Sequence, residues 1–410
     1  MELLTRKNPL KCQKLALELS FKYLSDMKTA KRRNQHLSWS SVSMPVEIFN
    51  AMGITVFINE VYAYLSAASH TSTEDLQYLE ELHLSRDLCT VGTCGMGARL
   101  RKGSLMPKYA DSILFGTFPC PTAPQNAHYF HHLKLKKGQA PPIYIVDTPF
   151  EPMDDPDFQL NYYCEELEGA ISFLEKVSGV EMDDKKFFDT VLKSYEMTEN
   201  LKKVFLLRKN IPIPISAFEI FQVSVPFLVF AGTDEALNLS KILLTEVQER
   251  VKNNFSVHPL DLDVKRIGWL GTTVVNPYDL SVFKFMEERG AFIVFEEILF
   301  LLFGLTKPKN RDDAMKALAK RMLFISYNLT IEERNDIIKK WAKTYCIDGA
   351  IHHVHQGCRL EATCDRQITD ALKEINIPVL SINSDCIDES TYSPSQMKTR
   401  IEAFIELLKK

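Results

Sequence analysis

The pattern of apolar and polar positions along this chain changes character twice. Near the N terminus, "QKLALELSFKYLSDMKTAKRR" has apolar residues at helical spacing and predicts an amphipathic helix. Three short apolar runs follow, "ITVFI", "SILFGTF" and "IYIV", and each is typical of a buried strand. Because helical stretches separate these runs, the pattern predicts an open parallel α/β sheet.

The middle of the chain, from Tyr162 to about Val257, has charged and apolar residues at helical spacing and predicts a helical insert. The α/β pattern then returns with "KRIGWLGTTVVN", "AFIVFEE", "GAIHHVH" and "IPVLSIN", and "PSQMKTRIEAFIELLKK" predicts a terminal helix. We therefore expect an α/β protein with two open parallel sheets of Rossmann or flavodoxin type. The predicted order is an N-terminal helical segment, a first α/β domain, a helical subdomain and a second α/β domain, at residues 1–45, 46–161, 162–260 and 261–410.

Composition excludes several classes of partner. The 410 residues are 45% hydrophobic and 25% charged, and the formal net charge of −4 gives no footprint for nucleic acid or an anionic membrane. The most apolar run, "FEEILFLLFGL", is far shorter than the ~20 residues that cross a bilayer. The first ten residues lack the apolar core of a secretory signal. We expect a cytoplasmic protein without nucleic-acid or membrane partners.

The chain has nine cysteines, an odd number that argues against a disulfide framework. Reduced thiols can be buried core residues, nucleophiles or metal ligands. The positions are Cys12, Cys89, Cys94, Cys120, Cys164, Cys346, Cys358, Cys364 and Cys386.

Three of these cysteines share one topological position. Cys120 follows the strand "SILFGTF", Cys358 follows "GAIHHVH", and Cys89 precedes an expected glycine-rich loop, "CTVGTCGMG". Ligand sites in open α/β sheets form beyond the carboxyl ends of the strands, so these residues can converge. Glycines such as Gly97 and Gly357 would let backbone amides approach a sulfide or thiolate closely.

The stretch "HHVHQGCRLEATC" raises the alternative of a zinc site. Tetrahedral zinc would need several of its histidines and cysteines together, but strand side chains alternate, so only His353 and His355 can share one face. No CxxC pair supports such a site, and no local pattern fixes a cysteine nucleophile. On the residues alone, zinc, a catalytic cysteine and an ordinary buried core all stay open.

Signals for nucleotide binding are weak. "GWLGTTVV" lacks the third glycine and the acidic partner of a dinucleotide fingerprint, and no GxxxxGKS/T motif occurs. We therefore expect that this chain does not hydrolyse ATP itself.

Taken together, the motifs resemble the 2-hydroxyacyl-CoA dehydratase and benzoyl-CoA reductase family, in its catalytic subunits. "SWSSVSMPVEIFNAMGITVF" looks like the N-terminal Trp-Ser segment of that family. "DLCTVGTCGMG", "YADSILFGTFPC" and "DGAIHHVHQGCR" look like the segments with its three cluster cysteines, and "IPVLSINSD" and "TRIEAFIELL" like its C-terminal part. The resemblance extends over nearly the whole chain.

The resemblance implies a [4Fe-4S] cluster bound by Cys89, Cys120 and Cys358, with one iron left open to substrate. Cys94, five residues after Cys89, is an alternative first ligand, or a fourth ligand that would close the cluster. The spacing to Cys120 and the glycine at position 97, eight residues after Cys89, favour Cys89.

The resemblance also implies catalytic side chains near the first strands. The segment after Trp39 offers Ser40, Ser41 and Ser43 as candidate active-site hydroxyls, and Glu60 falls where the family has a glutamate. Structural alternatives stay open, namely helix-start contacts for the serines and a surface carboxylate for Glu60.

The reaction implied is removal of water from an acyl-CoA thioester through a ketyl radical, with electrons from an ATP-hydrolysing iron-sulfur activator protein. Two alternatives are a component of a ring-reducing benzoyl-CoA reductase and an electron-relay protein with a fully ligated cluster. The resemblance implies a heterodimer with a homologous second catalytic chain, and a homodimer is the alternative. Second-shell or packing roles are expected for His353 and His355.

Overall fold

The computed structural model describes residues 9–102, 104, 106–107, 109–118, 122–136, 138–149, 155–271 and 275–409. Its strands are β1 (Leu37–Ser40), β2 (Thr55–Ile58), β3 (Ser112–Gly116), β4 (Ile143–Val146), β5 (Lys265–Leu270), β6 (Ala291–Glu296), β7 (Gly349–His355) and β8 (Val379–Ser384). Its helices are α1 (Cys12–Thr29), α2 (Val46–Met52), α3 (Asn59–Ala68), α4 (Ser72–Glu81), α5 (Thr90–Leu100), α6 (Thr122–Leu135), α7 (Pro156–Ser178), α8 (Asp184–Leu207), α9 (Ala217–Val229), α10 (Asp234–Lys252), α11 (Ser281–Glu288), α12 (Arg311–Leu323), α13 (Ile331–Thr344), α14 (Arg359–Lys373) and α15 (Pro394–Leu408). Short 3₁₀ helices lie at Ala30–Arg33, Glu297–Leu302, Ser326–Asn328 and Glu389–Thr391.

The strands form two four-stranded sheets with the same topology. The strand orders are β2-β1-β3-β4 and β6-β5-β7-β8, and every neighbouring pair is parallel. In each sheet the chain order reverses between the first and third strands, so a crevice opens beyond β1 and β3 and beyond β5 and β7. The α/β fold with two open parallel sheets is therefore confirmed.

Several helices begin and end at residues whose conformation or side chain explains the boundary. Helix α2 follows Pro45 and ends at Gly53, whose φ of 71° is a left-handed conformation suited to glycine. The four helices α7 to α10 each begin after a side chain that accepts a hydrogen bond from their first turn. These capping residues are Asp155, Asp183, Ser216 and Thr233.

Strand β1 lies inside the range 1–45, where we expected a helical N-terminal segment. Its sequence, "LSWS", is fully buried although half of its residues are polar. The Ser40 hydroxyl donates to the Leu114 carbonyl of β3 at 2.7 Å, and the Ser112 hydroxyl donates to that of Ser38 at 3.1 Å. Because serines replace the usual apolar residues, the strand has no apolar signal. The domain boundaries themselves remain a prediction.

Loops at the carboxyl ends of the two sheets contact each other. The Ser72 hydroxyl donates to the Ile387 carbonyl at 2.6 Å, and the Thr90 hydroxyl donates to the Asp385 carboxylate at 2.7 Å. These bonds join α4 and α5 of the first half to the loop after β8. In the ranges given above, no helix is long and apolar enough to cross a membrane.

Candidate functional site

Two of the predicted cluster cysteines occupy equivalent positions at the starts of helices. Cys89 is the residue before α5, and Cys358 is the residue before α14. Both side chains are partly exposed. The unpaired amides and the dipole at a helix N terminus favour a thiolate over a thiol, so both positions suit metal ligation.

A glycine turn brings these two cysteines together. Gly357 has a φ of 81°, and a Cβ added to it would lie 3.2 Å from both the Cα and the N of Cys89. The backbone before Cys358 therefore packs directly on that of Cys89, although the two cysteines are 269 positions apart (358 − 89). The predicted approach of the Gly357 amide to a sulfide or thiolate stays a prediction.

The glycines after Cys89 do something different from what we predicted. "TVGTCGMG" is part of helix α5 and does not form a loop. A Cβ at Gly95 would overlap the Asn59 side chain of α3, and one at Gly97 would overlap the Asp75 backbone of α4. The prediction of a glycine-rich loop is wrong because these glycines allow three helices to pack closely.

Cys120 and Cys94, the other candidate ligands, stay predictions. Cys120 lies outside the described residues, in the sequence between β3 and α6. Cys94 is buried, and after burial the groups that act most on its pKa are Asp75 and Ser66, on helices α4 and α3.

Cys386 is a further thiol at this site, and the sequence reasoning missed it. It is fully buried in the loop after β8, and its thiol and the Tyr64 hydroxyl form a hydrogen bond. Burial, Asp385 and the neighbouring Cys89 and Cys358 raise the pKa of Cys386 well above its usual value. Its position in the sequence could have identified it, because Cys386 follows strand β8 just as Cys358 follows strand β7.

His355 links these thiols. Its Nε2 lies 3.4 Å from the Cys89 Sγ, and its Nδ1 accepts the Cys386 backbone N–H at 3.3 Å. Burial lowers the pKa of His355, so the ring is neutral at neutral pH.

The other two histidines of the same strand have separate surroundings. His352 lies between the carboxylates of Glu361 and Asp365, at 2.8 and 2.7 Å. Burial alone would lower the pKa of His352, but these two hydrogen bonds raise it to about 9. The His353 Nε2 lies 2.7 Å from the Ser384 hydroxyl. The three histidines therefore do not share one zinc site.

A buried ion network supports the start of α14. The Arg334 guanidinium donates to both carboxylate oxygens of Glu297, at 2.8 and 2.9 Å, and to both of Glu361, at 3.2 Å. Glu361 is three residues after Cys358 and also contacts His352. Because each charge in this network has a partner, the network joins the first turn of α14 to α13 and to the 3₁₀ helix after β6.

The three candidate serines lie at the carboxyl end of β1. The Ser40 hydroxyl donates a hydrogen bond to the Leu114 carbonyl within the first sheet. The Ser41 and Ser43 hydroxyls form a hydrogen bond with each other, and the Ser43 hydroxyl also accepts the Gly116 N–H at 3.1 Å. All three serines are buried.

Glu60 lies in the first turn of α3, beside this serine loop. Its carboxylate accepts the Val42 N–H at 2.9 Å, and it keeps a partly exposed surface. Burial of the carboxyl raises the pKa of Glu60 to about 7, although the hydrogen bond from the Val42 N–H by itself lowers this pKa. Tyr64, four residues later, lies on the same face of α3 about 6 Å along the axis. This face therefore connects Glu60 with Cys386.

These residues suit a sulfur-ligated cluster better than a hard cation. Among the residues that the structure describes, no group of three or more His, Cys, Asp or Glu side chains is arranged around a metal position. The described donors are instead a pair of thiols at helix starts, Cys89 and Cys358, with the neighbouring thiol of Cys386. Cys120, the third predicted ligand, lies outside the described residues. Thiolates are the ligands of iron-sulfur clusters, so the donor chemistry fits such a group.

Comparison with known proteins identifies the family of this chain. Residues 41–408 match the family described as 2-hydroxyglutaryl-CoA dehydratase, D-component. The lactoyl-CoA dehydratase alpha chain of Anaerotignum propionicum is 23% identical over 97% of each chain. The (R)-phenyllactyl-CoA dehydratase alpha chain of Clostridium sporogenes is 24% identical over 92% of this chain and 91% of its own.

A relative with a different named activity also matches. One of the chains of the benzoyl-CoA reductase of Thauera aromatica is 22% identical over 79% of this chain and 77% of its own. These names agree with the expectation of a dehydratase-type enzyme component from the family that the sequence motifs resemble. This chain belongs to the 2-hydroxyglutaryl-CoA dehydratase D-component family.

Proposed function

We propose that this chain is the iron-sulfur catalytic subunit of an enzyme that removes water from a 2-hydroxyacyl-CoA. The observation that supports this most is the direct packing of the Gly357 turn, next to Cys358, on the backbone of Cys89. The names of several relatives, acyl-CoA dehydratase subunits, favour the same chemistry.

Cys89, Cys120 and Cys358 would hold a [4Fe-4S] cluster in this proposal. When bound, such a cluster would lend one low-potential electron to the thioester, and loss of the hydroxyl and of a proton from the neighbouring carbon would give the 2-enoyl-CoA and return the electron. The electron would come from a separate ATP-hydrolysing activator, since this chain has no motif for ATP hydrolysis.

Glu60 is the proposed acid of the dehydration. With a pKa of about 7, a substantial fraction of its carboxyl groups hold a proton at neutral pH. That proton can pass to the departing hydroxyl, which leaves as water. The Val42 N–H fixes one carboxylate oxygen and so orients the group.

Ser41 is the proposed positioning hydroxyl. Its bond with Ser43 keeps it at the end of β1, next to the loop that Glu60 holds. Ser40 has a weaker claim, because its hydroxyl already donates to the β3 carbonyl of Leu114.

The proposed assembly is a pair of homologous catalytic subunits. Several relatives are named as individual subunits of larger enzymes. A second catalytic chain would help to close the crevice against water, which a radical reaction requires.

A specific observation favours a second candidate function, electron relay. The buried Cys386 thiol lies close enough to act on Cys89 and Cys358 and could complete the ligation of a cluster. A fully ligated cluster would have no iron position for substrate.

The test uses the chain purified anaerobically with its second catalytic chain and an ATP-dependent activator. Lactoyl-, phenyllactyl-, 2-hydroxyisocaproyl- and benzoyl-CoA are offered, and products are identified by mass spectrometry. We expect ATP-dependent formation of a 2-enoyl-CoA, and a loss of at least ~100-fold in kcat for Glu60→Gln with unchanged iron content. Reduction of benzoyl-CoA alone would identify ring reduction instead. No turnover, with a cluster whose EPR spectrum changes in Cys386→Ser, would identify the relay.

A further inference from the structure

His355 occupies the point where the two halves of the site meet. It is the last residue of β7, and its ring is 1% exposed. Its two ring nitrogens contact different partners, the Cys89 Sγ at 3.4 Å and the Cys386 backbone N–H at 3.3 Å. The ring therefore bridges the start of α5 and the loop after β8.

The Cys386 contact determines which ring nitrogen has the proton. A backbone N–H can only donate, so the His355 Nδ1 must present its lone pair to it. A neutral imidazole has one N–H, which must then be on Nε2. This proton points at the Cys89 sulfur.

The Ser384 carbonyl also lies beside the ring. The Cys386 N–H bond decides the tautomer by geometry alone, because it requires a lone pair on Nδ1 and leaves the ring proton on Nε2.

We propose that His355 is a positioning residue that donates its Nε2–H to the Cys89 sulfur and thereby raises the reduction potential of the cluster at this site. This inference rests on the cluster proposed above. A hydrogen bond to a ligand sulfur withdraws negative charge and stabilises the reduced cluster more than the oxidised one. Because Nε2 is protonated, His355 is not itself an iron ligand.

The first experiment is an EPR-monitored redox titration of the anaerobic protein with its second catalytic chain. His355→Leu removes the donor, His355→Gln keeps an N–H donor, and His353→Gln changes a histidine on the same strand whose Nε2 contacts Ser384. Iron and sulfide are measured for each variant. We expect a more negative midpoint potential for His355→Leu, a smaller shift for His355→Gln, and the wild-type potential for His353→Gln.

The second experiment detects the hydrogen bond between His355 and the Cys89 sulfur in the wild-type protein, without a variant. Electron-nuclear double resonance of the reduced wild-type protein, labelled with ¹⁵N-histidine, should show one weakly coupled nitrogen. A strong coupling would identify a coordinated histidine and overturn the donor role, and so would the absence of any coupling.

The outcomes separate this inference from the proposed function. An unchanged potential in His355→Leu with full iron content would overturn the inference and leave the cluster intact. If His355→Leu loses iron, its midpoint potential cannot be compared with that of wild type. The donor role is then tested by the midpoint potential of His355→Gln relative to wild type and by the nitrogen coupling. Wild-type protein without iron would contradict the proposed function, and the inference would fail with it.

Discussion

At the scale of single residues, burial changes the chemistry of the polar groups near the crevice. Burial raises the pKa of Glu60 to about 7, whereas the carboxylates beside His352 overcome burial and raise its pKa to about 9. The same strand thus contains a charged histidine and, three residues later, the neutral His355. The sequence placed these residues on strands and helices but could not assign their protonation, which depends on partners distant in the chain.

The raised pKa of Glu60 makes a prediction about stability. Between its ordinary value of 4.5 and about 7, the folded protein binds more protons than the unfolded chain. Stability therefore falls as the pH rises through this interval. Glu60→Gln removes this loss and keeps an acceptor for the Val42 N–H. We expect the variant to be more stable than wild type by about 1–3 kcal/mol at pH 8, and equal to it near pH 4.5.

Urea denaturation at the two pH values measures this difference. Glu165→Gln, which changes an exposed glutamate of α7, is the matched control and should show no gain at pH 8. A Glu60→Gln variant as stable as wild type at pH 8 would show that the carboxyl is not desolvated.

At the scale of elements, the sequence predicted the strands with continuous apolar runs and missed the polar β1. It also misread α5, because three glycines in eight residues are typical of a loop. Here they are required by the close approach of α3 and α4, which involves residues that the local pattern of α5 does not contain.

The Gly97→Ala substitution tests whether close packing or the low helix propensity of glycine dominates at this position of α5. Alanine favours a free helix over glycine by about 1 kcal/mol, so the substitution would stabilise an uncrowded α5. A methyl group at this position would overlap the Asp75 backbone, so we expect a loss of about 1–3 kcal/mol in the free energy of unfolding.

The comparison variant is Gly92→Ala in the same helix. Its added Cβ would lie 3.0 Å from the end of the Thr122 side chain, which can move, and we expect a smaller loss. Urea unfolding of both variants measures which of them loses more free energy of unfolding. A gain in stability for Gly97→Ala would contradict the packing described for α5.

At the scale of the whole molecule, the helical insert is joined to both α/β halves by buried ions. The Glu47 carboxylate of α2 accepts the Ser194 hydroxyl of α8 at 2.6 Å and two Arg321 nitrogens of α12, at 2.6 and 2.8 Å. Burial alone would raise the pKa of Glu47, but Arg321 and Ser194 lower it. The sequence predicted the insert, but it contains no local signal for this contact.

Removing one side of this pair leaves the other charge buried. We expect Glu47→Gln and Arg321→Met each to lower the free energy of unfolding by about 3–5 kcal/mol. The double variant should lose much less than the sum of the two, because no unpaired charge remains. Additive losses in urea denaturation would show that the pair does not act as a unit.

The same limit applies to the site. The sequence motifs identified Cys89 and Cys358, but the way the two sheets face each other determines that Cys386 and His355 join them. The spacing of apolar residues along the sequence does not predict that orientation, because it depends on contacts between distant residues such as Thr90 and Asp385. Family resemblance supplied the cysteines, and only the structure supplied their neighbours.

The most direct test of the central claim is anaerobic iron and acid-labile sulfide analysis, with EPR of the dithionite-reduced protein. Wild type is compared with serine variants of Cys89, Cys94, Cys120, Cys358 and Cys386. We expect about four irons per chain, as in one [4Fe-4S] cluster, lost on changing Cys89, Cys120 or Cys358 and retained in Cys94→Ser and Cys386→Ser. Iron-free wild-type protein, or a cluster unaffected by Cys89→Ser and Cys358→Ser, would contradict the account.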